Sequence, residues 1–368
     1  MTTAPIRRGA EGRALTSHDV ARMAGVSQAT VSRVLREDPG VRAETRERVL
    51  KVLAEVNYQP NAAARSFRTH RAGAIGVVVA RLSYQIYPAM LELIGARLNG
   101  LGQQMVVWDA EYGGDRHASR ALRQGGVDGV ILTACTRESP FIRDVCSPQA
   151  PVVLVNRAVD GYPADQVSSD NLDGGRRAAA YFVGCGRRRI AMIGGVQQAS
   201  PIRDREAGLR QGLQAHGRPL VAHYYQRAEG FTHRAGLAAA LRLLELQAPP
   251  DAIFCANDVL ALGAIDAART LGLRIPDDLW VIGYDDVEMA AWPAFDLTTF
   301  RQPMDEMIGY AVARLMNRIE EPDRPLEFKT FANELVIRRS TGRRAAQADA
   351  ASAGLSCAEA PEEEIKDE

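Results

Sequence analysis

Residues Thr16–Arg33 read T-S-H-D-V-A-R-M-A-G-V-S-Q-A-T-V-S-R. Thr16 and Asp19 stand at the spacing of a capping box, so a short helix is expected to start there with Val20, Ala21 and Ala24 on its inner face. Gly25 ends that helix. Ser27 caps a second one, in which Val31, Val34 and Leu35 point inward while Gln28, Ala29, Ser32 and Arg33 point outward. Two short helices joined at a glycine form a helix-turn-helix. The outward side chains fall in the first two turns of the second helix, where a reading helix meets base edges in the major groove. Sequence-specific binding of duplex DNA is the expectation.

The run D-V-A-x-x-A-G-V-S-x-A-T-V-S-R-V-L over Asp19–Leu35 resembles the headpiece of the lactose repressor/galactose repressor (LacI/GalR) family of bacterial regulators. The resemblance implies that Gln28, Ala29 and Arg33 contact base edges, with Arg33 placed for bidentate contact to guanine. It implies that Thr30, Ser32 and Asn61 hold phosphates or the hinge, and it puts Thr16, Ala64 and Phe67 in the same DNA-facing set. Within the headpiece and hinge, four positions depart from the family pattern. Arg42 stands where Ser is usual at a helix start, Ser17 where an apolar residue is usual, Arg36 in place of Asn, and Phe67 in place of Leu.

Net charge over the 368 residues is zero, but it is segregated. Residues 1–72 carry thirteen Arg or Lys against seven acids, a net +6, and the tail from Arg343 is acidic. The positive excess lies in the segment expected to meet phosphate. Cys135, Cys146, Cys185, Cys255 and Cys357 are odd in number and scattered, so they read as free thiols in a reducing compartment. Arg7 and Arg8 are not followed by an apolar run, and no stretch is long enough to span a bilayer. A cytoplasmic protein with no membrane contact is expected. Its length implies more than one domain.

Along the chain, residues 1–14 read as a flexible arm, either an extension without a role or a phosphate contact. Residues 15–58 form the helix-turn-helix domain. Within it Asp38-Pro39-Gly40 makes a turn, and a third helix over about Glu44–Asn57 covers the first two with Val49, Leu50, Leu53 and Val56. Residues 59–72 resemble the family's hinge. Pro60 fixes an extended entry, Asn61 can cap, and the alanines favour one helical turn too short to persist alone. In the family, two such hinges pair in the minor groove and wedge an apolar side chain into a base step, a place that Phe67 occupies here. A plain linker is the alternative.

From Ala74 the texture changes. Ala74–Ala80, Gln104–Asp109, Asp128–Thr133 and Pro151–Asn156 are expected as buried strands, and Arg189–Gly194, Leu220–Gln226, Asp251–Ala256 and Leu279–Tyr284 repeat the pattern. Helical stretches lie between them. This alternation implies an α/β core of two parallel-sheet subdomains behind an all-α headpiece. The core, residues 73–342, resembles the family's regulatory domain and the periplasmic sugar-binding proteins. That topology implies three crossings between subdomains, with subdomain one at about 73–170 and 303–328 and subdomain two at about 171–300 and 331–342. Residues 343–368 are expected to be a disordered acidic tail without a leucine heptad, which leaves a homodimer as the default.

Ligands of open parallel sheets bind at the strands' carboxyl ends. Asn156, Asn257, Asp258, Asp285 and Asp286 fall there, with Arg203 and Arg205 at a helix start. Sugar recognition needs such forked donors and acceptors beside an apolar plate. By resemblance, Arg205, Asn257 and Asp285 match the family's effector-binding Arg, Asn and Asp, and Phe231 its stacking aromatic. Asn156 stands where the family often has Asp. Tyr84 and its neighbours to Tyr87 face either the cleft or a dimer surface. Asp258 reads equally as a helix cap, Asp286 as a solvated turn residue, and Trp280 as core.

No catalytic pairing, phosphate loop or metal-ligand spacing stands out, so neither an enzyme nor a bound cofactor or metal is expected. Gly194-Gly195 after a strand is only a weak phosphate signal. The reading is a transcriptional regulator, a repressor by type, that binds a pseudo-palindromic operator under control of a small-molecule effector, most simply a carbohydrate. Two rivals stand beside it: a sugar-binding module that serves a transporter, and a regulator controlled by a protein co-regulator.

Overall fold

The computed structural model describes residues 15–35, 37–58 and 71–342. The expected arm, Arg36, the hinge residues Asn61, Ala64 and Phe67, the acidic tail and Cys357 lie outside the described residues. Two compact units divide at Gly73.

In the first unit, helices α1 (Ser17–Ala24), α2 (Gln28–Val34) and α3 (Ala43–Glu55) follow their local signals. Asp19 N donates to Thr16 Oγ1 at 3.4 Å and Thr16 N to Asp19 Oδ2 at 3.0 Å, which completes the capping box. Gly25 takes φ +63, a left-handed conformation that suits glycine and turns the chain. Ser27 Oγ accepts from Thr30 N at 3.2 Å and starts α2. Gly40 N donates to Asp38 Oδ1 at 2.8 Å in the turn before α3, whose N-cap Arg42 makes no side-chain cap.

Among the described residues, Val20, Ala21, Ala24, Val31, Val34, Val49 and Leu53 form the buried apolar core of this unit. Leu35 and Leu50, expected inside, are 38% and 50% exposed. Leu35 follows the last turn of α2, and Leu50 lies on the flank of α3 beside the Val49–Leu53 stripe. Three short helices cannot cover either. Ser32, expected outward, is buried at 8% exposure. It stands one turn after Gln28, and Gln28 Nε2 donates to Ser17 Oγ on α1 at 3.2 Å, so this stripe of α2 turns toward α1.

The second unit contains two six-stranded sheets. The first comprises β1 (Ala74–Val79), β2 (Gln104–Asp109), β3 (Gly129–Leu132), β4 (Val152–Val155), β5 (Asp165–Ser169) and β11 (Phe328–Phe331), in the order β11-β5-β4-β3-β1-β2. All its pairings are parallel. β1 is buried along its whole length, as a strand covered on both faces must be. Helices α4 (Ile86–Gly100), α5 (Gly114–Arg123) and α6 (Pro140–Asp144) interleave with these strands, and α11 (Met304–Glu320) returns to pack on β3, β4 and β5.

The second sheet comprises β6 (Ile190–Gly194), β7 (Tyr225–Arg227), β8 (Ala252–Cys255), β9 (Trp280–Asp285), β10 (Thr298–Arg301) and β12 (Glu334–Val336), in the order β12-β10-β9-β8-β6-β7. Only the β10/β12 pair is antiparallel. Helices α7 (Asn171–Gly184), α8 (Ser200–Ala215), α9 (His233–Leu244) and α10 (Asp258–Thr270) complete this lobe. Trp280 is buried in its core.

Two readings of the core need correction. Leu220–Gln226 is mostly a single 3-10 turn at Ala222–Tyr224 followed by the three-residue edge strand β7. The polar stretch D-Q-V-S-S, passed over as a strand, is β5 and is fully buried. Asp165 is tolerated there because Arg314 and Arg318 on α11 reach it at 2.6 and 2.9 Å.

The chain passes between the lobes after β5, after β10 and after β11. Pairing with β5 carries the first sheet to Phe331, beyond the expected bound of 328. The crossings are tied together: Ser169 Oγ donates to Gln302 Oε1 at 2.6 Å, and Asn333 Nδ2 donates to Asp170 O at 2.7 Å.

Candidate DNA-reading surface and effector cleft

On the headpiece, the Arg33 side chain is 62% exposed, with its nearest carboxylate, Asp38, at 3.9 Å. Ala29 and Thr16 are exposed, while Thr30 is half-buried with its hydroxyl 2.9 Å from Ser27 Oγ. The Ser17 contact holds the Gln28 carboxamide at the start of α2. Ser17 thus supplies a polar anchor for the Gln28 side chain. A guanidinium and an oriented carboxamide on one short helix are the groups that read guanine and adenine edges. Burial removes Ser32 from the freely accessible set.

In the core, a cavity lies where the strands' carboxyl ends of the two lobes face each other. Tyr84, Asn156, Arg205, Phe231, Asn257 and Asp285, expected from scattered parts of the sequence, all line it. Arg205 reaches it from the first turns of α8. Its Nε donates to Asn171 Oδ1 at 2.8 Å, its Nη1 to Ala256 O at 2.6 Å and its Nη2 to Asp285 Oδ1 at 3.2 Å. Its guanidinium carbon lies 3.5 Å from the ring centroid of Tyr284. These contacts fix the fork as a rigid floor.

Asp285 ends β9 at φ +114. Its Oδ1 also accepts from Gln302 Nε2 at 2.7 Å. Burial pushes this carboxyl above its ordinary range, while Arg205 and Gln302 hold it back. Asn156, also left-handed at φ +71, ends β4 with its Oδ1 buried and without a hydrogen-bond partner among the described residues. Such an acceptor asks for a donor from a ligand or water. Phe231 meets Tyr84 edge-on from the opposite lobe, 5.6 Å between centroids at 86°.

The structure decides the open alternatives. Asn257 is the cap of α10, with its Oδ1 accepting from Leu260 N at 3.0 Å. Asp258 is neither that cap nor a lining residue: it accepts from Thr299 Oγ1 at 2.5 Å and from Val287 N at 2.9 Å, which ties α10 to β10 and to the loop after β9. Burial, with the Asp285 charge adding, pushes Asp258 up to about 7. Asp286 is no solvated turn residue, because its side chain is buried and Arg301 and Arg338 each approach it to 2.7 Å.

The double glycine is a packing device. A Cβ on Gly195 would lie 2.6 Å from the Phe231 ring, and one on Gly194 would lie 2.4 Å from Tyr225 Oη. Sequence reasoning missed Asn171, Arg157 and Gln302 as cleft groups. Asn171 and Gln302 each had a signal in their places at expected crossings, and Arg157 had none beyond standing next to Asn156. Among the described residues no group of three or more His, Cys, Asp or Glu could hold a metal, and no helix is long and apolar enough to cross a membrane.

Comparison with known proteins bears on both units. Residues 16–61 match the model for bacterial regulatory proteins of the lacI family, and residues 179–341 match the periplasmic binding protein-like domain. The chain is 33% identical to the HTH-type transcriptional regulator DegA of Bacillus subtilis over 89% of its own length and 98% of the relative's. It is 32% identical to the ribose operon repressor of Escherichia coli over 83% and 94%. Among solved structures, a Lac repressor dimer bound to operator aligns at 28% identity with a TM-score of 0.79, and a CelR–cellobiose complex at 29% with 0.68. Each alignment covers 89% of this chain and 99% of the other. A capped reading helix, a two-lobed α/β core behind it and relatives that match both from end to end lead to one conclusion: the chain belongs to the LacI family of bacterial regulatory proteins, DNA-binding regulators of transcription rather than enzymes.

Proposed function

We propose that this regulator acts in the cytoplasm as a homodimeric repressor on a near-palindromic operator and responds to a carbohydrate effector held in the interlobe cleft. Gln28, Ala29 and Arg33 are the base-facing residues, with Thr16 and Thr30 at phosphates. Asn61, Ala64 and Phe67, outside the described residues, complete the proposed DNA-contacting set, and Ser32 is assigned to packing instead. The observation that carries the effector reading is the convergence of six chain segments on one cavity, with a rigid Arg205–Asp285 floor and the unsatisfied Asn156 acceptor at its edge. The similarity to a ribose operon repressor and to a CelR–cellobiose complex supports a sugar.

Coupling is built into the same contacts. Asp285 bonds to Gln302, and Gln302 to Ser169, so the cleft floor is continuous with two of the three crossings. A ligand that draws the lobes together strains or relieves these crossings and shifts the balance between two lobe arrangements. The basic headpiece argues against the transport-module rival, since a transport receptor has no use for it. Selection of bound duplexes from a random pool, followed by competition with and without a sugar panel, tests the reading. One enriched half-site repeated in inverted orientation, with binding altered by a sugar, is expected. No preference over scrambled duplex at moderate salt overturns it.

A further inference from the structure

The cleft has more positive charge than its internal pairing uses. Of its charged lining groups, Arg205 and Asp285 neutralise each other. Arg157, one residue after Asn156 at the end of β4, also lines the cavity. Unlike Arg205, it makes no hydrogen bond or ion pair with any described residue. The carboxylate of Asp160, three residues further along the chain, pairs with Arg203 at 3.3 Å. The Tyr87 hydroxyl and the Cys135 thiol feel the Arg157 charge, but burial pushes both above their ordinary ranges, so neither supplies a counter-charge. A half-buried guanidinium in a cleft, with five donors and no acceptor, is set for a forked anion. Beside it, the orphaned Oδ1 of Asn156 is placed to accept from a hydroxyl or another donor on the same molecule. Tyr84 and Phe231, at 86° to each other, form a corner suited to a puckered ring.

We infer that the effector is an anionic monosaccharide, a sugar acid or a sugar phosphate, whose charged group seats on Arg157 and whose adjacent hydroxyl donates to Asn156. This rests on the effector reading above and deepens it.

Isothermal titration of the full-length protein with C5 and C6 uronates, aldonates and sugar phosphates, each beside its neutral parent, tests the inference. At least one anion is expected to bind about 10-fold or more tightly than its parent, the size of one charge-assisted contact. Response to the carboxylates alone, or to the phosphates alone, identifies the source of the charge. Arg157→Gln is expected to bring the preferred anion to within about threefold of its parent, and Arg157→Lys to keep part of the preference. If Arg157→Gln does not fold, the wild-type panel and the Lys variant decide. Neutral parents that bind as tightly as the anions overturn the inference and leave the sugar-effector reading standing. Titrations with no binding by any compound overturn both.

Discussion

At the scale of single residues, exposure and pairing separate side chains that the sequence alone treats alike. Arg33 and Arg205 are both arginines carried on helices, yet one is open to a partner and the other is locked on three acceptors. Arg33→Ala is therefore expected to weaken specific operator binding by about 1–3 kcal/mol and to relax discrimination at one base pair per half-site. Competition titrations against single-position operator variants measure this, and an unchanged preference at every position contradicts it. Asp258 supplies a prediction in pH. Its ordinary value is 3.8 and burial raises it to about 7, so between these limits the folded state holds a proton that the unfolded state has lost. Stability therefore falls as pH rises through that window and levels off above it, at no more than about 1.4 kcal/mol per pH unit from this group. Denaturant titrations of Asp258→Asn across pH 4–8 should show a flatter slope than wild type. An identical slope assigns the effect elsewhere.

At the scale of elements, α3 is the weak point of the headpiece. It carries the core residues Val49 and Leu53 but begins at Arg42, whose side chain caps nothing, and Leu50 remains half in water. Arg42→Ser should supply the missing acceptor and stabilise the helix by about 1 kcal/mol. Amide exchange of Val49–Leu53 in the full chain should slow about fivefold, a direct measure of local opening. No change in protection rules out the missing cap as a cause of weakness. The first two helices were legible because their signals are local: a capping box, a left-handed glycine and a capping serine lie within a dozen residues. β5 was not legible, because D-Q-V-S-S has no strand-like alternation and its burial depends on two arginines more than a hundred residues downstream on α11.

At the scale of the whole core, a short polar relay from Arg205 to Asp285, Gln302 and Ser169 joins the two lobes. Gln302 is buried and donates to the cleft floor while accepting from the first crossing. Gln302→Leu keeps much of the volume and removes both bonds. The ratio of operator affinities with and without saturating effector is expected to shrink about 3- to 10-fold, the range of a coupling loss of one contact network. Paired operator titrations read this directly. An unchanged ratio means that coupling runs through other crossings, such as the Asn333–Asp170 bond.

The sequence by itself determined the helix-turn-helix, the two-lobed α/β core and the segments from which the cleft is drawn. Caps, helical period and buried apolar runs act between near neighbours and leave their mark at fixed spacing. Only the tertiary structure decided which polar groups meet. Asn171, Arg205, Asp285 and Gln302 come from four separate segments, and no local period relates them. The same holds for the burial of Ser32 and Asp286, and for the freedom of Arg157 beside the locked Arg205. A polar side chain's role depends on its partners and on the water it loses, and the crossings between the lobes fix both.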